Sequence, residues 1–180
     1  MKRNQNQKRN GMTQQPNEPW AVDTEYTKYT LWFIYACIIY SIIGFSWGAL
    51  MGGVPAFRNI VDSGVNGHRI VLAHTHINLL GWVEMAIFGS VYYIVPRLVR
   101  RSIYSLRLVK VHFWMHNFGL LGVVVFFSAS GLTGVYVEGG EEVASRFMAL
   151  AGFFGGLVLL ANIIWGYNLF RTCAGWNRKT

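Results

Sequence analysis

Residues 73–98 read AHTHINLLGWVEMAIFGSVYYIVPRL. The stretch is apolar and longer than the roughly 20 residues a helix needs to cross a bilayer. It nevertheless carries His74, His76, Asn78 and Glu84. Insertion scales put a charged group at the centre of a span at a cost of about 2.5–3.5 kcal/mol. Polar groups kept at that cost point to a use inside the membrane.

The rest of the chain supports the membrane reading. Charged residues make up 13% of the 180 residues and apolar ones 53%, where a soluble domain carries about 25% charged. Three more segments match the first in length and hydropathy, giving spans at about 29–52, 70–96, 108–136 and 147–170. The expected fold is therefore all-α, a four-helix antiparallel transmembrane bundle filling residues 29–172. A polar, Gln- and Asn-rich segment (1–28) precedes it as a mobile cytoplasmic tail. A basic tail (173–180) follows. The first 28 residues contain no apolar core, so no secretory signal is expected.

The net charge of +8 would suit nucleic acid, but its placement suits a membrane surface. Lys2, Arg3, Lys8, Arg9 and Lys28 precede span one. Arg97, Arg100, Arg101, Arg107 and Lys110 flank the second connection, and Arg171, Arg178 and Lys179 follow span four. Only Arg58, Arg69 and Arg146 fall on the other side. The positive-inside rule then places both termini in the cytoplasm of a bacterial-type inner membrane. Anionic lipid, not nucleic acid, is the expected partner of the basic patches. Cys37 and Cys173 lie towards the cytoplasmic side and are not placed for an extracellular disulfide.

Small residues recur at helix-packing intervals: Gly44, Gly48 and Gly52 in span one, Gly81 and Gly89 in span two, Gly119 and Gly134 in span three, and Gly152, Gly155 and Gly156 in span four. Such stripes let helices approach closely in lipid. Trp20, Tyr26, Tyr29, Trp32, Trp165, Tyr167 and Trp176 are expected to form a cytoplasmic aromatic belt.

No soluble-enzyme signature is present: no P-loop, no GxSxG, no zinc-finger spacing. The chemistry falls to the intramembrane polar groups. His74 and His76 lie about 200° apart on a helix, so they face nearly opposite ways. His74 shares a stripe with Asn78, Gly81, Met85, Gly89 and Tyr92, which suits helix packing and hydrogen bonding. His76 shares one with Leu80, Val83 and Ile87, the apolar flank that a planar macrocycle with an axial imidazole needs. His112 and His116, at i and i+4, can grip one metal or flank one cofactor. The plainer reading is hydrogen bonding near the cytoplasmic side. Glu84 falls near the midplane, where it is expected to be neutral. It is a proton-relay or metal-ligand candidate, or a carboxyl hydrogen-bonded across a helix interface. His68 and Arg69 lie where they can hold a phosphate or carboxylate, though the arginine can equally snorkel.

The run His76-Ile77-Asn78-Leu79-Leu80, then Trp82 and Tyr92-Tyr93-Ile94-Val95-Pro96, resembles the second span of heme-copper oxidase catalytic subunits, and within them the nitric oxide reductase large subunit. The pattern continues in His112-Phe113-Trp114-Met115-His116-Asn117-Phe118-Gly119-Leu120, which is similar to small four-span proteins of the oxidase subunit I-like type. The resemblance implies that His76 is an axial ligand of a low-spin heme b; by position alone, Arg69 and His68, just outside span two, are candidates to hold a heme propionate or a lipid phosphate. Full catalytic subunits have about twelve spans and carry their second heme b ligand and copper-site histidines in the later ones. On that resemblance the expected role is electron transfer or gas binding, not complete oxidase catalysis.

Depth limits the ligand pairs. Counting 1.5 Å per residue, His76 sits roughly 10 Å outside the midplane and His116 about 12 Å inside it. One heme cannot bridge them. Met148, at similar depth to His76, or His76 of a second copy are the candidate sixth ligands, and an open position would bind a gas. Three classes of function follow: a b-type cytochrome, alone as a homo-oligomer or in a larger respiratory complex; a copper-binding or assembly protein using the histidines; and an accessory subunit with no cofactor.

Overall fold

The structure, a computed structural model, describes residues 24–174. Its elements in order are α1 (Thr24–Gly53), α2 (Pro55–Val61), α3 (Gly64–His76), a π-helical segment (Ile77–Val83), α4 (Glu84–Leu98), α5 (Leu106–Tyr136) and α6 (Glu141–Ala174). Among the described residues four helices are long and apolar enough to cross a membrane: Thr24–Gly53, Gly64–Leu98, Leu106–Tyr136 and Glu141–Ala174. The architecture is all-helical, as hydropathy predicted.

Helix boundaries differ from the sequence reading where local chemistry extends them. α1 starts at Thr24, ahead of the expected 29, because its first turn is anchored in tertiary contacts. The Tyr26 hydroxyl donates to the Tyr92 carbonyl, and Glu25 pairs with Lys110. The proposed tail therefore divides: residues 24–28 are helical, and 1–23 lie outside the described residues, as do 175–180 of the C-terminal tail. The long connection after α1 folds into α2, which opens on Pro55, the residue best suited to a first helical turn. Arg58 reaches back to the Gly52 carbonyl. Gly67 then lies against the backbone of Ile60 and Val61, where a Cβ has no room.

Packing follows three seams. α5 and α6 share the largest one, with the Ser130 hydroxyl donating to the Ala144 carbonyl at 2.7 Å and Gly119 set beside Val158 and the Phe154 carbonyl. α3 lies on α5, where the Asn66 amide donates to the Gly134 carbonyl at 2.9 Å. α1 lies on the π segment and α4. There the predicted stripe faces it: Gly48 meets His74, Gly44 meets Asn78, Gly81 meets Tyr40, and Gly89 meets Phe33 and Ile34. The span-four glycines behave differently from expectation. A Cβ at Gly152 or Gly156 would meet nothing within 4 Å, and at Gly155 only Val123 at 4.0 Å. α6 buries Ala144, Ala151, Val158 and Ala161 instead. Alanine is small enough for close packing, and glycine was not required there.

The other side of α1 exposes Leu31, Tyr35, Ile38, Ile39, Ile42 and Ile43, a surface suited to acyl chains. The core gathers at the α4–α5 end around Tyr26, Phe33, Met85, Phe88, Tyr92, Val109 and Phe113. Tyr29, Trp32 and Trp165 pack against this cluster, so with Tyr26 four of the expected belt aromatics serve the core. Trp20 and Trp176 lie outside the described residues.

Candidate functional site

The two histidines of span two are held in opposite states by their nearest backbone. The Asn78 amide nitrogen donates to the His74 carbonyl at 2.9 Å, which fixes the amide's orientation because a carbonyl only accepts. That same nitrogen stands 3.2 Å from His74 Nδ1, which is therefore the acceptor. In neutral His74 the proton lies on Nε2, and the Cε1–Nε2 edge faces Gly48 of α1. Neither nitrogen is left as a free electron pair. Asn78 and His74 thus belong to the helix seam.

His76 is the reverse case. Its Nδ1 lies 2.7 Å from the Leu72 carbonyl one turn back, so Nδ1 carries the proton and donates it. Nε2 is left as the lone pair, and it has no hydrogen-bond partner among the described residues. Metal-bound imidazoles share this arrangement, one nitrogen anchored to a carbonyl and the other free to coordinate. The ring is half-buried and rests on Phe127 of α5, with centroids 5.0 Å apart. Beyond it, Val83 and Ile87 project apolar side chains outward. The π segment begins at the next residue, and such wide turns re-aim the side chains around them.

A second imidazole group lies deeper in the core. His112 and His116 on α5 are both 0% exposed, and their centroids stand 6.0 Å apart. His116 Nε2 lies 3.1 Å from the Leu80 carbonyl of the π segment, so it donates and Nδ1 is the lone pair. His112 Nδ1 is 3.1 Å from the Tyr92 hydroxyl. Glu84, at the end of the π segment, brings Oε2 to 3.7 Å from His116 Nε2. His112 Nε2, His116 Nδ1 and Glu84 Oε2 are all buried without a hydrogen-bond partner. Phe88 packs against both imidazoles, 4.4 Å from His112 and 5.2 Å from His116, and Phe33 covers His112 at 5.1 Å.

The histidine groups are separate. His76 opposes Phe127, and His116 lies eleven residues earlier on α5, about 16 Å along the axis at 1.5 Å per residue. Arg69 is two turns before His76 on the same face of α3, half-buried, with Nη1 buried and unpartnered. Met148 is half-buried on α6. The α5–α6 pairs Ser130–Ala144 and Val123–Gly155 set it near the level of Phe127. His68 is exposed, and Cys37 and Cys173 are free thiols. Among the described residues no three of His, Cys, Asp and Glu converge as a metal-ligand set. An apolar cavity of about 520 Å³ lies between α1, α2, α3 and α5, lined by Trp47, Phe57, Ile70 and Leu132 among others, and none of these histidines reaches it.

Sequence reasoning missed Tyr92 as a partner of His112, Leu72 and Leu80 as carbonyl anchors, and Phe127 as the floor beneath His76. Tyr92 alone left a trace, as the last member of the His74 stripe. Carbonyl anchors leave none, because any residue type supplies them.

Four helices long and apolar enough to cross a membrane, with imidazoles embedded in two of them, define the class as an integral membrane protein. The chain belongs to the cytochrome c and quinol oxidase polypeptide I family, whose model matches residues 19–176. It is 36% identical over 122 residues to cytochrome c oxidase subunit 1 of Rhodobacter capsulatus, covering 57% of this chain and 22% of that protein. It is 33% identical over 126 residues to the cytochrome c oxidase subunit 1 homolog of Agrobacterium tumefaciens, covering 60% and 23%. With the Cbb3-type cytochrome c oxidase subunit CcoN1 of Stutzerimonas stutzeri it shares 28% over 121 residues, covering 56% and 24%. The chain spans less than a quarter of the length of these relatives.

Proposed function

We propose that this protein binds a b-type heme through His76 and acts in electron transfer or gas binding within the inner membrane. The observation that carries this is the Nδ1–H donation from His76 to the Leu72 carbonyl, which leaves Nε2 as a free ligand on a half-apolar face. His74, with the opposite tautomer, is a packing residue. Arg69, two turns away on the same face, would meet a propionate with its unpartnered Nη1. Met148 or His76 of a second copy would supply a sixth ligand. The bound iron would supply one-electron redox chemistry or a gas-binding position. Family membership and the oxidase names of the relatives favour a respiratory role, as a homo-oligomer or inside a larger complex. In this reading the spans form an antiparallel bundle with both termini cytoplasmic, set by the distribution of Lys and Arg.

The test is the absorption spectrum of detergent-purified protein expressed with ample heme. A Soret band that shifts on dithionite reduction, present in wild type and lost in His76→Ala, is expected. A wild type without the band would overturn the reading in favour of an accessory subunit.

A further inference from the structure

The apolar cavity of about 520 Å³ between α1, α2, α3 and α5 has no part in the heme reading. Four of its lining residues, Ile42, Ile43, Leu50 and Leu132, are also 44–62% exposed, so the cavity opens sideways onto the lipid-facing surface. Apolar cavities stay dry, and bare walls forfeit dispersion contacts, so in a bilayer such a space fills with hydrocarbon. Two groups beside it are not apolar. Trp47 lines the cavity, and its Nε1 is buried with no acceptor among the described residues. Buried indole N–H groups usually find a partner, and an orphaned one calls for a bound molecule. Arg58 follows Phe57, another lining residue, on α2. It is exposed and reaches the Gly52 carbonyl at the end of α1.

We propose that this cavity holds one acyl chain of an anionic glycerophospholipid, with an ester carbonyl accepting from Trp47 Nε1–H and the phosphate meeting Arg58. Depth supports this occupant. Trp47 precedes Gly52 by five residues, about 7.5 Å along α1 at 1.5 Å per residue. The interfacial layer between hydrocarbon and water is about 5–7.5 Å thick on each face of a bilayer. Arg58 at the helix end and Trp47 beneath it are therefore spaced as a phosphate is from the edge of the hydrocarbon, where the glycerol esters lie. The chemistry matches as well. An indole only donates and an ester carbonyl only accepts. A guanidinium carries five N–H groups in a fork, so the Gly52 carbonyl leaves others for phosphate oxygens, in charge-assisted hydrogen bonds. The charge of Arg58 favours an anionic headgroup over a zwitterionic one, which brings its own cation. A hydrocarbon without the ester would fill the walls but leave the indole unpaired.

The site uses neither His76 nor Arg69, and its test is separate from that of the heme. Detergent-purified full-length protein is exchanged into fresh detergent and titrated with dioleoyl phosphatidylglycerol or dioleoyl phosphatidylcholine. Native mass spectrometry counts the bound lipids, with size-exclusion elution as the control for fold. Wild type should take up one phosphatidylglycerol per chain ahead of all others, and bind phosphatidylcholine at that site at least about fivefold more weakly. Trp47→Phe keeps an aromatic ring but loses the N–H, and should weaken the site about fivefold. Arg58→Gln should weaken it roughly tenfold and abolish the preference between the two headgroups. Ser46→Phe, which puts a ring into the cavity, should remove the tight site. His76→Ala, and Arg107→Gln at the far end of the bundle, should bind as wild type does. A folded wild type with no distinct first lipid, a Trp47→Phe or Ser46→Phe protein that binds as tightly as wild type, or an Arg58→Gln protein that still prefers phosphatidylglycerol would each overturn the proposal. So would an organic extract of the purified protein that holds a prenylated quinone in place of phospholipid.

Discussion

The Asn78 amide nitrogen stands 3.2 Å from His74 Nδ1, and that contact separates two histidines that look equivalent in sequence. Asn78 occupies the lone pair of His74, while the Leu72 carbonyl frees the lone pair of His76. His74→Ala should therefore leave most of the Soret absorbance in place, whereas His76→Ala should abolish it. Asn78→Ala removes the amide without touching His76, and its heme content should stay near wild type. Pyridine hemochrome assay of the three variants checks this, and heme lost from His74→Ala but kept in His76→Ala would reverse the assignment.

The α1 seam depends on two glycines. A Cβ at Gly48 would lie 3.1 Å from His74 Cε1, and one at Gly44 would press directly on the Asn78 amide. Gly44→Val should destabilise the fold by about 1–3 kcal/mol through overpacking. Gly52→Val, where a Cβ meets nothing within 4 Å, should be close to neutral. Thermal unfolding of both variants in one detergent measures the difference, and equal midpoints would contradict this seam.

Asn168 closes the α4–α5 connection onto α6. Its Oδ1 accepts from the Ser105 N–H at 3.0 Å, and its Nδ2 donates to the Ser105 carbonyl at 3.1 Å. Asn168 is fully buried. Asn168→Ala strips the partner from the Ser105 N–H, at a cost of about 1–3 kcal/mol, while the Ser105 carbonyl keeps the Val109 N–H at 3.3 Å. The variant should unfold at a clearly lower temperature, and limited proteolysis should cut first between residues 99 and 105.

Tyr92→Phe keeps the ring that packs against Phe33 and Tyr26 but removes the hydroxyl at His112. The loss leaves His112 Nδ1 buried without a partner, which should cost about 1–3 kcal/mol. Tyr92→Leu should cost more, since it also removes aromatic packing. Chemical denaturation of the two variants ranks them, and a Tyr92→Phe protein as stable as wild type would mean that the hydroxyl contributes nothing to the fold.

Exposed charge should matter little by comparison. Lys110 pairs with Glu25, and both are partly exposed. Lys110→Ala should shift stability by less than about 1 kcal/mol, as the same unfolding assay reads it.

Much of this protein was legible before folding. Hydropathy is a local property summed over a window, so the four spans, the membrane setting and the all-helical class followed from composition and length alone. The 200° separation of His74 and His76 followed from helix geometry, and family membership agrees with the His76–Asn78 run. Other features needed the tertiary structure. The π segment at Ile77–Val83 and the role of each glycine depend on what a neighbouring helix presents, and span four shows that a glycine stripe need not pack. Above all, which nitrogen of each imidazole is free depends on which acceptor folding places beside it: Leu72 for His76, Leu80 for His116, the Asn78 amide for His74. A carbonyl anchor has no residue signature, so only the folded chain decides which histidine keeps a lone pair to offer a metal.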